Sequence, residues 1–101
     1  MKSHKRKRQL KMTNALLNSL GDTPDAVADT LRAEGIKGSH KAQHCPIANY
    51  LKAHGVERPA VTSHTTLIGV WFDPDMVVNP DPVRAFVRGF DGYKYGDLYG
   101  V

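Results

Sequence analysis

The sequence predicts an α+β domain: a small three-stranded antiparallel meander packed with about four helices, in the order α-α-α-β-β-β-α. Three observations carry this. Apolar residues recur at helical spacing over residues 9–54, strand-favouring residues concentrate in the run 65–72 (Thr-Thr-Leu-Ile-Gly-Val-Trp-Phe), and a proline-rich start signal at 79–82 opens a last helix with a continuous apolar face. The run 65–72 is the expected central strand, with Trp71 as its core anchor.

Taken in order, residues 9–20 place Met12, Leu16 and Leu20 four apart with Leu17 beside them, an amphipathic stripe that Gly21 is positioned to end. Thr23-Pro24-Asp25 then reads as N-cap, first helical position and favourable first-turn acid of a second helix. That helix runs to about Glu34 with Val27, Thr30 and Leu31 on one face, and Gly35 stops it. Residues 37–43 are polar and aperiodic, a loop. Cys45-Pro46 opens a third helix whose buried face is Ile47, Tyr50, Leu51 and His54, closed by Gly55.

The meander is expected over 60–63, 66–72 and 76–78, turning near Ser63-His64 and at Asp73-Pro74-Asp75. Pro59 suits the first strand to an edge, and Gly69 marks a bulge or a close approach inside the second. Both faces of that strand are apolar, Leu67 and Trp71 on one side and Ile68, Val70 and Phe72 on the other. Such a strand needs helices on both faces, or one face left for a partner. Asn79 is the expected N-cap of the last helix, Val83, Phe86, Val87 and Phe90 its buried face, Arg84 and Arg88 its outer side, and Gly92 its terminator; residues 93–101 are a tail over the core.

The net charge of +4 is unevenly placed. Lys2, Lys5, Arg6, Lys7, Arg8 and Lys11 put six cations into the first eleven residues with no acid among them, so the remainder carries the other eight cations against ten acids. Residues 1–8 therefore read as a basic, flexible arm and 9–101 as a single domain. No apolar run approaches the roughly 18 residues of a membrane span, and no apolar segment follows the basic start as in a secretory signal. A single cysteine forms no internal disulfide, and the expected location is cytoplasmic.

Several constellations invite a chemical reading. Cys45 at a helix start beside His44 suggests an activated thiol, but no phosphate-cradling loop ending in arginine follows and no second cysteine completes a redox pair. His40, His44, Cys45, His54 and His64 supply zinc-type donors, yet they scatter over a loop, a helix and a turn. Asp73, Asp75 and Asp81 sit in turns, where aspartate serves the backbone. The expectation is no catalytic residue, no metal and no cofactor. A helix-turn-helix is disfavoured by the long connection between the second and third helices.

The segments Cys45-Pro46-Ile47-Ala48-Asn49-Tyr50-Leu51 and Pro82-Val83-Arg84-Ala85-Phe86-Val87-Arg88-Gly89-Phe90-Asp91 resemble those of small uncharacterised proteins of actinobacteria and their phages. The resemblance spans about residues 25–98 and implies a shared fold and an accessory role, with no activity to carry over. The functional expectation is a non-enzymatic accessory or regulatory binding protein whose arm residues Lys2, Lys5, Arg6, Lys7, Arg8 and Lys11 contact nucleic acid or another anionic partner. The alternative is a protein-interaction module that binds a host or partner protein through an apolar groove.

Overall fold

The computed structural model describes residues 3–100 of the chain, with the element order expected from the sequence. Four helices, α1 (His4–Asn18), α2 (Pro24–Ala33), α3 (Pro46–Ala53) and α4 (Asp81–Asp91), accompany β1 (Ala60–Val61), β2 (Thr65–Ile68) and β3 (Asp75–Val78). The strands form one antiparallel sheet in the order β1-β2-β3.

The start and stop signals act as their chemistry requires. Thr23 Oγ1 accepts from the Ala26 amide at 3.0 Å, capping α2. Gly35 and Gly55 adopt φ of 67° and 95°, which lets Ile36 and Val56 donate back to the carbonyls of Leu31 and Leu51 and close α2 and α3. The end of α4 departs from expectation. Gly92 keeps a negative φ, and Tyr93 takes the left-handed position at φ 65° while the Lys94 amide returns to the Gly89 carbonyl. The strain of that Cβ is borne by an aromatic residue whose ring packs 4.9 Å from His40.

Three further expectations are corrected. First, β2 stops at Ile68: Gly69 sits at φ 89°, its amide donates to the Glu57 carbonyl, and the chain turns away. Trp71 and Phe72 therefore lie on a loop, 84% and 71% exposed, and neither anchors the core. Second, Asn79 caps no helix. It is buried, accepts from Thr66 Oγ1 at 2.7 Å and donates to the Thr62 carbonyl at 2.8 Å, tying β3 to the β1–β2 turn, while Pro80 holds the N-cap position of α4. Third, the buried stripe of α1 runs through Thr13 and Leu17, with Met12 and Leu16 only partly covered, and His54 is exposed and paired with Glu34 at 2.8 Å.

The core is one cluster. Leu17, Val27 and Leu31, Ile47 and Leu51, and Phe86 and Phe90 meet the inward residues Val61, Ile68 and Val77 of the sheet. All of this packing lies on one side of the sheet. The tail follows the expected course: a 3-10 turn at Gly96–Leu98 buries Leu98, Tyr95 donates to Asp25 at 2.7 Å, and Gly38 pairs with Tyr99 in a parallel bridge.

Candidate functional site: the outer face of the sheet

Strand alternation decides what the sheet shows to solvent. In β2, Thr66 and Ile68 point inward; in β3, Asp75 and Val77 do so. The outward set is Thr65 and Leu67 on β2 with Met76 and Val78 on β3, and the register places Ala60, Leu67 and Met76 opposite one another across all three strands. Met76 and Val78 are 61% and 63% exposed, values unusual for large apolar side chains within a sheet. Thr65 faces Val78 in the neighbouring pair.

This face continues into a depression on each side. One, of about 530 Å³, is lined by His44, Arg58, Ala60, Leu67, Trp71 and Pro74, so the loop indole extends the apolar row beyond β1 and β2. Phe72 packs edge-on against Trp71 at 5.8 Å between ring centres. The other depression, of about 580 Å³, lies between β3 and α1, where Lys7, Leu10, Lys11 and Asn14 border Met76 and Val78. The outer face is thus aliphatic in the middle, aromatic at one end and cationic at both flanks.

The basic segment proves to be part of the folded unit from His4 onward, four turns of helix capped by Ser3, whose hydroxyl accepts from the Arg6 amide at 3.2 Å. Cations at a helix N-terminus oppose its dipole, and acids from elsewhere in the chain offset them. Arg6 is bidentate to Asp75 through Nε and Nη2, both at 3.1 Å, and its Nη1 reaches Asp73 Oδ2 at 3.1 Å, so its guanidinium is held even more firmly protonated than usual. Lys5 pairs with Glu57 at 2.8 Å, and Gln9 exchanges hydrogen bonds with Gly55 and Glu57. Of the six arm cations expected to meet nucleic acid, Lys2 lies outside the described residues, and Lys5 and Arg6 bind this chain's own carboxylates. Lys7, Arg8 and Lys11 have no carboxylate partner among the described residues.

The other candidate groups take structural positions. Cys45 caps α3, its Sγ accepting from the Ala48 amide at 3.4 Å, and burial pushes its thiol pKa up, opposite to activation by the helix end. His40 is packed among Phe90, Tyr93 and Tyr99, with Asp91 at 3.5 Å. Among the described residues no group of three or more His, Cys, Asp or Glu is placed to hold a metal ion, and no helix is long and apolar enough to cross a membrane. The sequence pointed to a two-sided strand at 65–72 but not to which side stays bare, because Met76, Val77 and Val78 are apolar in succession and carry no alternation that would tell the two faces apart. Comparison with protein-family models, curated proteins and solved structures finds no match to this chain.

Proposed function

We propose that this chain is a non-enzymatic accessory module, cytoplasmic as its lone reduced cysteine suggests, that docks a partner protein on the outer face of its sheet. The observation that carries the reading is the exposure of Met76, Val78 and Trp71 beside the half-buried Ala60 and Leu67, an apolar row in a domain whose other apolar strand side chains, among the described residues, are packed. Contiguous exposed apolar surface of this sort marks an interaction site far more often than isolated apolar residues do. An accessory role of the phage or actinobacterial type belongs to the same proposal.

A photo-crosslinking residue at Val78 tests it in cells of the source organism. The expected result is one discrete protein adduct, identified by mass spectrometry, absent when the crosslinker sits at the exposed Ala33 of α2 and lost when Met76→Asp is added. Adducts that ignore the position of the crosslinker overturn the reading.

A second reading is favoured by one observation, that Lys7, Arg8 and Lys11 stand on a single helix with no carboxylate partner among the described residues: contact with the phosphates of a nucleic acid. It gives a different signature, a salt-dependent affinity for random duplex DNA that survives Met76→Asp.

A further inference from the structure

The proposal above leaves open what kind of structure a partner presents; the shape and charge of the face narrow it, on the premise that the docking reading holds. Neighbouring strands lie about 4.8 Å apart, so from β1 to β3 the face is about 10 Å wide, the diameter of one α-helix with its side chains. Both edges of the sheet are obstructed to an added strand. The outer edge of β1 is engaged where the Val61 amide donates to the Ala42 carbonyl at 2.9 Å, and α1 lies along β3. Recognition must then come through side chains on the face.

The charges are one-signed. Lys7 and Lys11 flank the face beside β3, while Lys52 and Arg58 flank it beside β1, and none of the four has a carboxylate partner among the described residues. The nearby acids are engaged elsewhere: Asp75 points inward and Asp73 is held by Arg6. A second copy of this chain would bring the same cations together. A single-stranded nucleic acid would satisfy the cations but meet aliphatic Leu67, Met76 and Val78 where stacking on bases calls for aromatic rings.

We infer that the outer face receives a short acidic amphipathic α-helix of a partner protein, its apolar stripe on Leu67, Met76 and Val78 and its carboxylates toward Lys7, Lys11 and Arg58. This is helix-in-groove recognition with a sheet as the floor. The electrostatic flanks give register and speed of association more than affinity.

A library of random 16-residue peptides, selected on the immobilised full chain and counter-selected on a Met76→Asp/Val78→Asp variant of unchanged circular dichroism, reads the preference without a known partner. The expected winners carry net negative charge, apolar residues at i, i+3, i+4 and i+7, and an affinity that falls at least tenfold in Lys7→Glu/Lys11→Glu. Face-dependent winners that are uncharged, basic or proline-rich overturn the acidic helix while leaving the docking proposal standing. If no winner depends on the face, the inference is overturned, and the crosslinking at Val78 judges the docking proposal separately. Binding of a dT20 oligonucleotide that the face variant abolishes overturns both in favour of nucleic acid.

Discussion

At the scale of single residues, side chains that look chemically poised are tied into the fold. Tyr95 is the clearest case. Burial first, and its hydrogen bond to Asp25 second, push its phenol up to about 12 from the usual value near 10. A folded pKa above the unfolded one means that the contribution is fully present below pH 10 and is lost as pH rises toward 12. Absorbance at 295 nm should therefore show one tyrosine ionising near 12 in the native chain, and Tyr95→Phe should flatten the alkaline loss of stability over that interval. Asp97 behaves inversely: its hydrogen bonds with Arg32 hold its carboxyl below the usual range, so what it contributes is kept above that range and lost on acidification. Residue chemistry was legible in the sequence where it depended on neighbours in the chain, as with Thr23, and illegible where it depended on distant ones. Asn79 shows the difference: its position before two prolines fits a cap, yet Thr66 and the Thr62 carbonyl claim its amide.

At the scale of elements, α1 is held by what other segments bring to it. Its first turns have an unfavourable charge distribution on their own, and Arg6, Lys5 and Gln9 each reach a partner some fifty or more positions away or nearly so. Sequence reasoning, which sees the cations but not Asp73, Asp75 and Glu57 beside them, starts this helix at residue 9; the structure starts it at His4. Arg6→Gln should lower Tm and speed amide exchange in the first two turns while α2 and α4 exchange as before; uniform protection throughout would show that the Arg6 pairs do not hold the helix. A different element contact is tighter still. A Cβ on Gly38 would lie 2.4 Å from the His44 carbonyl oxygen and 2.5 Å from the Pro46 nitrogen, all backbone. Gly38→Ala must shift the loop before α3 and the tail bridge with it, at an expected cost of about 1–3 kcal/mol in denaturant unfolding.

At the scale of the whole molecule, the fold is a two-layer α+β unit, and the element order was legible because helical spacing over 9–54 gives way to a run of strand-favouring residues at 65–72 and resumes after the proline-rich start at 79–82. Which side of the sheet the helices choose was not, since 65–72 is apolar on both. The same distribution bounds any nucleic-acid binding. If Lys7, Arg8 and Lys11, the α1 cations without a carboxylate partner among the described residues, make the contacts, the slope of log affinity against log salt for duplex DNA should be about −3, where six phosphate contacts would give about −5. Fluorescence anisotropy across a salt series reads this directly, and the steeper slope would require Lys5 and Arg6 to leave their carboxylates on binding and Lys2 to take part as well.

The position of Trp71 has a spectroscopic consequence. It is the only tryptophan of the chain, and it stands in water at the end of the bare face. Its native emission should resemble that of a free indole and change little on unfolding, which makes it a poor monitor of stability. For the same reason it is a label placed by the fold itself: an occupant that covers the face shifts its emission to the blue, and iodide quenching falls in proportion.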